Sequence, residues 1–303
     1  MTPDEFTIQE LHLAVGDGHT LYVQDWGNKE ATTVWIVLHG GPGSQAKPKH
    51  KGGFDPTTQR VIFFDQRGCG NSTPYGSLEH NTTQDLIADI SRIADELGVA
   101  TFALHGSSWG SALALAYAVE HPERVSALAI GGIFTGSKNE IDWLDQGRFQ
   151  TFYPDVWQDY LARTPEAHRG NPTAYHNDKV LNGSPEEQKA SGYAYERLEA
   201  GVIKLDDRSN PDDIAEYDPA GIRMEMFYMA NNCFMPDRHV MNNAHKLTMP
   251  VHIVQGRYDM VCPPITAYEL HGKLPNSRLY WVISGHAHEH ETQNVFSAII
   301  AAI

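Results

Sequence analysis

Three cysteines in 303 residues, Cys69, Cys233 and Cys262, are odd in number and widely spaced, which excludes a disulfide scaffold, and they match no zinc-binding spacing. They read as reduced thiols. No apolar run approaches the length of a bilayer span; "ALALAYAV" is among the longest. The first residues, "MTPDEFTIQE", have neither a basic start nor an apolar stretch, so they do not read as a signal peptide. Basic residues are also scarce. Lys and Arg number 23 against 38 Asp and Glu, a formal net charge of −15, which disfavours nucleic acid and anionic membranes as partners. That charge does not by itself identify a cationic substrate. Long single-sign and low-complexity blocks are absent, and with them the signature of disorder. The expectation is a soluble, cytoplasmic protein whose oligomeric state stays open.

What is present is an alternation of short apolar strands and helices. At 41% hydrophobic, the chain can bury the core of one large domain carrying an insertion. "FTIQELHLAV" and "TLYVQDW" read as two strands joined by a turn, followed by buried strands in "TVWIVLHG" and "RVIFFDQRG". "TTQDLIADISRIADELG" has Thr82 or Thr83 as N-cap and Gly98 as stop. Strand "TFALHG", helix "WGSALALAYAVEHP" and strand "VSALAIGG" continue the alternation. Such a rhythm predicts an α/β fold: a mostly parallel sheet with helices on both faces. From about 134 to 245 it changes. "NEIDWLDQGRFQTFYPDVWQDYLAR" and "SPEEQKASGYAYERLEAGVIKL" look helical, with no convincing strand between them, so residues 134–245 are expected to form a helical cap. The core is then 1–133 and 246–303, the second part resuming with "PVHIVQG", "PITAYELHGKL", "RLYWVIS" and "TQNVFSAIIAAI".

The chemistry concentrates at the ends of these strands. In "HGSSWGS", Gly106, Ser108 and Gly110 satisfy G-x-S-x-G between a strand and a helix, the setting in which a sharp turn exposes a nucleophilic serine. Ser107 reads instead as a polar turn residue capping the helix. Serine needs a base and the base an orienting acid, in the chain order Ser, Asp or Glu, His. Asp259 in "GRYDMVCPP" and His286 in "SGHAHEHE" both follow late strands. A helix-capping aspartate and a loop histidine are the bland alternatives. His286, His288 and His290 also alternate as a metal site would, but alternation in a loop defines no tetrahedral cage. Neither metal nor organic cofactor is expected. "LHGGPGS" lets backbone N–H groups approach a reacting carbonyl, which makes the Gly41 and Trp109 amides candidates for an oxyanion hole. As a phosphate loop it would need the lysine of G-x-x-x-x-G-K-[ST], which the chain lacks. Asp65 and Arg67 in "DQRGCGNS" read as structural, with Arg67 tying loops near the site and Cys69 close enough to confer sensitivity to thiol reagents.

Taken with "NTTQDLIADI", "SSWGSALALAYAVEHPERV", "GIF" and the final "GH", these motifs make the chain resemble the prolyl aminopeptidases (proline iminopeptidases) of the α/β-hydrolase superfamily, from about residue 34 to 286. The resemblance implies an α/β-hydrolase fold with Ser108 as nucleophile, His286 as base and Asp259 as its partner. It implies release of an N-terminal residue, preferentially proline, from a small peptide with a free N-terminus. It also implies cap acids for the substrate ammonium, which fall on Glu199 in "YERLEAGVIKL" and Glu225 in "RMEMFYMANNCFM". Both read unaided as ordinary helix-surface charges, and Glu196 lies one turn away. Three departures stand out: "TGSKNE" after "GIF" where the family is arginine-rich, Leu144 and Asp145 where it carries an aromatic pair, and "GSS" in place of "GGS". A hydrolase of esters, lactones or other amides and a non-catalytic ligand-binding protein on the same scaffold are the competing expectations.

Overall fold

The computed structural model describes residues 8–205, 218–287 and 290–303. Phe6 and Thr7 of the expected first strand, and His288 with the side chain of His290, lie outside the described residues. Eight strands form one sheet: β1 (Gln9–Gly16), β2 (His19–Gly27), β3 (Thr33–Leu38), β4 (Gln59–Phe64), β5 (Phe102–Ser108), β6 (Val125–Ile133), β7 (Val251–Gly256) and β8 (Ser277–Val282). Their spatial order is β1-β2-β4-β3-β5-β6-β7-β8. The β1–β2 hairpin joins β4 antiparallel, and every pairing from β4 to β8 is parallel. The expected fold class is therefore the observed one.

The sheet's central strands read as continuous apolar runs because both faces are covered. Helices α1 (Thr83–Glu96) and α2 (Trp109–Glu120) contribute to the larger buried cluster, together with Ala267 and Leu270 of α9 (Pro264–Lys273). Phe296, Ile299 and Ile300 of α10 (His290–Ala302) join a second cluster built on Trp35, Val37, Val61 and Phe63. Helix α2 is apolar all round and is buried all round, as such a helix must be. Thr82 caps α1 by accepting from the Asp85 N–H, while Asp85 reaches back to the Thr82 N–H.

Between β6 and β7 lie α3 (Lys138–Asp145), α4 (Pro154–Ala162), α5 (Pro172–Asn182), α6 (Pro185–Ala200), α7 (Pro219–Ala230) and the short α8 (His239–Asn243). The helical stretch expected over 139–163 is broken into α3, a 3-10 turn and α4. Gly147 adopts φ +61°, and a Cβ there would stand 2.4 Å from the Trp157 ring, so the chain turns where only glycine fits. Pro154 then starts α4, because its missing N–H cannot continue a helix but can open one. These helices share their own core of Phe149, Trp157, Tyr160, Tyr195, Leu198 and Met226. Helix α7 serves both layers: Ile222 and Met226 pack into this cluster, Met224 and Tyr228 into the sheet-side core.

Candidate active site

Ser108 is the last residue of β5 and Trp109 the first of α2. The reversal between them forces Ser108 to φ +57°, ψ −129°, a conformation that costs a non-glycine residue about 1–3 kcal/mol. Two close approaches hold it there. A Cβ on Gly106 would sit 2.5 Å from the Gly110 carbonyl oxygen, and one on Gly110 would sit 2.3 Å from the Leu38 carbonyl oxygen. Both motif glycines are thus required by backbone packing. Ser111, one turn into α2, donates to the Ser108 carbonyl (2.7 Å) and accepts from the Phe134 N–H (3.0 Å), anchoring the turn from behind. Ser107 does not cap the helix as expected. Its hydroxyl is buried with no partner among the described residues, because the strand delivers Ser108, not Ser107, to the helix start.

The loops after β7 and β8 bring Asp259 and His286 together. His286 Nδ1 lies 2.9 Å from Asp259 Oδ2 and 3.1 Å from Oδ1. Asp259 is almost fully buried, and its Oδ1 accepts the N–H groups of Val261 (3.0 Å) and Cys262 (2.7 Å). Gln255, at the end of β7, donates to Asp259 Oδ2 (3.2 Å) and to the Cys262 carbonyl (3.1 Å). Its own oxygen accepts the Ile133 N–H (2.8 Å). Nothing in the sequence singled out Gln255, since its role exists only once β6 and the acid loop are side by side. Burial works against an imidazolium at His286, yet the Asp259 carboxylate, with Cys262 behind it, outweighs burial and holds the His286 pKa well above its ordinary value. A Cβ on Gly132 would stand 3.2 Å from His286 Cε1, so the end of β6 leaves room for the ring.

Ser108 and His286 line one cavity of about 710 Å³, and Gly41 borders it. Gly41, at φ +110°, belongs to the turn after β3. The Trp109 N–H occupies the first position of α2, where an amide has no acceptor within its helix. A buried network fixes the two loops. His39 contacts the Gly40 carbonyl through Nδ1 (2.9 Å) and accepts the Gln66 N–H at Nε2 (3.0 Å). Gln66 in turn accepts the Trp109 indole N–H (2.9 Å). Burial pushes the His39 pKa down to about 4, in keeping with a neutral ring that donates from one nitrogen and accepts at the other. Asp65 and Arg67 are structural, as expected. Asp65 accepts the Ala46 and Asn71 N–H groups, and Arg67 forms a two-pronged buried ion pair with Asp89 of α1 while donating to the His80 carbonyl. Cys69 departs from expectation. It is buried, its thiol is pushed up to about 12 by that burial, and Cys262 is the cysteine that borders the cavity.

The cap supplies the other wall. Glu199 of α6 and Glu225 of α7 line the cavity and are hydrogen-bonded to each other. Glu196 is not among the lining residues. Burial raises the pKa of both Glu199 and Glu225, and the neighbouring Glu199 charge raises Glu225 further, so the two carboxyls hold a proton between them. Read singly, each looks like a solvated helix charge; only the packing of α6 on α7 makes them a pair. The cap is tied to the chemistry at three points. Trp143 donates to the Met260 carbonyl (2.7 Å), and the Ala287 N–H donates to the Ile203 carbonyl (2.8 Å). A Cβ on Gly43 would meet the Gly221 carbonyl oxygen of α7 at 2.4 Å, so two backbones touch there. Among the described residues no three His, Cys, Asp or Glu side chains are grouped to hold a metal ion.

Residues 34–289 match the model of the alpha/beta hydrolase fold family. A proline iminopeptidase of Arabidopsis thaliana is 40% identical over 287 residues, covering 91% of this chain and 74% of the relative. Its counterpart in Neisseria gonorrhoeae is 37% identical over 278 residues, covering 91% and 89%. Among solved structures, a proline iminopeptidase of Mycobacterium smegmatis superposes with a TM-score of 0.61 at 23% identity, covering 97% of each chain. An esterase of Exiguobacterium antarcticum does so with 0.67 at 18%, covering 97% and 98%; at these identities both report the fold alone. Sequence identity over nine-tenths of its length therefore places the chain in the α/β-hydrolase fold family, among the proline iminopeptidases.

Proposed function

We propose that the protein is a serine aminopeptidase that releases an N-terminal residue, preferentially proline, from small peptides. The observation that carries this reading is a single cavity holding Ser108, the Asp259-oriented His286 and, opposite them, the Glu199–Glu225 pair. His286 takes the Ser108 proton while Asp259 holds the imidazole through Nδ1. Ser108 Oγ attacks the carbonyl carbon of the first residue, and the Gly41 and Trp109 amides stabilise the oxyanion. As the C–N bond breaks, His286 delivers its proton to the departing amine. Water, deprotonated by the same ring, then cleaves the acyl-enzyme.

The carboxyl pair explains why a free N-terminus is needed. A buried ammonium is tolerated only against negative charge, and Glu199 with Glu225 offers one net charge and acceptor oxygens. An acylated N-terminus would leave that charge unpaired, which blocks internal peptide bonds. The three cysteines are all free and buried, in keeping with a reducing, cytoplasmic location. The test compares proline aryl-amide with its N-acetylated form in wild type and Glu199→Gln/Glu225→Gln, which removes the charge of the pair. Free-amine substrate should be preferred by at least about a hundredfold in wild type, and that preference should shrink in the variant. Equal hydrolysis of both forms would remove the peptidase reading in favour of a general amide or ester hydrolase.

A further inference from the structure

The cavity holds two acidic groups that the reaction above leaves unused, and one of them, Glu140, is already bonded by Thr135 and Ser137. The other, Asp145, the last residue of α3, lines it together with Leu144 and Ile141, beside the Glu199–Glu225 pair. Among the described residues no donor reaches its carboxylate, while its backbone carbonyl accepts from the Thr173 hydroxyl (3.0 Å). The nearest cation of its own helix, Lys138, is engaged by Asp142 at 2.7 Å. Asp145 is half-buried, and a carboxylate with no side-chain partner set in a cavity wall is open to a positive charge brought by a ligand.

Charge counting shows what would satisfy it. Glu199 and Glu225 share a proton and so present one negative charge, which the substrate α-ammonium neutralises. Asp145 adds a second charge on the same wall. We propose that Asp145 is a specificity-determining residue that admits peptides whose first residue carries a cationic side chain, such as lysine. Leu144, Ile141 and Val261 line the same cavity and can cover the methylene stem of such a side chain while its ammonium meets Asp145. At about 710 Å³ the cavity is large enough for a long side chain beside the scissile bond. Burial pushes the Asp145 carboxyl up to about 7, and an ammonium alongside would hold it ionised.

This inference rests on the aminopeptidase reading, so its test must separate the two. Aryl-amides of proline, alanine, lysine and norleucine are compared by kcat/KM in wild type and Asp145→Asn. Norleucine has the stem of lysine without the charge, so the lysine-to-norleucine ratio isolates the contact and is insensitive to the amount of folded enzyme. The wild-type ratio should be about ten or more, falling toward one in Asp145→Asn while alanine hydrolysis persists. A wild-type ratio near or below one overturns the proposal even if the variant does not fold. An equal loss on lysine and norleucine would make Asp145 a third ligand of the α-ammonium and would also overturn it. Hydrolysis of proline and alanine with no lysine preference sinks only this inference; no hydrolysis of any of the four sinks the aminopeptidase reading with it.

Discussion

Asp259→Asn is close to isosteric, and the contacts around Asp259 dictate which way the new amide must face. Oδ1 accepts two backbone N–H groups, at 3.0 and 2.7 Å, so the carbonyl oxygen of asparagine must take that position. Turning the amide over would lose two buried hydrogen bonds, about 1–3 kcal/mol each. The NH2 group therefore falls at the Oδ2 position, 2.9 Å from His286 Nδ1. It also meets the Gln255 Nε2 donor, 3.2 Å away. Gln255 cannot turn to accept it, because its oxygen is held by the Ile133 N–H and its nitrogen by the Cys262 carbonyl. The asparagine oxygen, its two lone pairs already used, cannot take the ring N–H instead. His286 Nδ1 is thereby made an acceptor and the ring proton moves to Nε2, the nitrogen that must receive the serine proton. A neutral ring in the wrong tautomer should cost about 10³–10⁴ in kcat at neutral pH, with the fold retained. The pH profile should change as well. Wild-type activity needs neutral His286, whose pKa is raised, so kcat/KM should fall as pH drops through a midpoint above 6.5. Without the carboxylate that midpoint should move down. The assay is release of the aryl-amine from proline aryl-amide between pH 5 and 10, with thermal unfolding as the folding control. A kcat within about threefold of wild type, or an unmoved acid limb, would refute the orienting role of Asp259.

Glu225→Gln should raise Tm, and more at pH 8 than at pH 5. Its carboxyl pKa is raised in the folded state, so the native protein binds more protons than the unfolded chain above about pH 4.3, and stability falls as pH rises toward the folded pKa; an equal shift at both pH values would contradict this. Gln255→Leu should destabilise by about 2–4 kcal/mol in urea unfolding, since it strands the buried Ile133 N–H and Cys262 carbonyl, and it should also lower kcat by loosening Asp259. Arg67→Met leaves Asp89 buried without its partner and should cost about 3–5 kcal/mol, much of it recovered in Arg67→Met/Asp89→Leu. Arg67 does not line the cavity that holds Ser108 and His286, so kcat/KM per folded molecule should change little.

The sheet and its covering helices were legible because strand length, apolar runs and capping residues such as Thr82 all point to one answer. That Asp259 and His286 come together was legible because each follows a strand end in a fixed chain order. The cap was readable as helical but not in its break at Gly147, where the requirement comes from the Trp157 ring ten residues on. Glu199 and Glu225 could be placed only through family resemblance, since their pairing depends on two helices packing together. Gln255 and Ser111 carried no signal at all: a buried amide and a buried hydroxyl bridging separate strands look like any other polar residue in a list of letters. Ser107 was misread for a related reason. Two adjacent serines look equivalent until the strand decides which one reaches the turn.

The central claim is that Ser108 releases proline from a free N-terminus. Its most direct test is hydrolysis of proline aryl-amide by wild type and Ser108→Ala under identical conditions, with the acyl-enzyme trapped by mass spectrometry in the wild type. The account predicts robust wild-type turnover, a covalent adduct on the peptide containing Ser108, and loss of both in the variant. Turnover that survives in Ser108→Ala, or an adduct on a different residue, would contradict it.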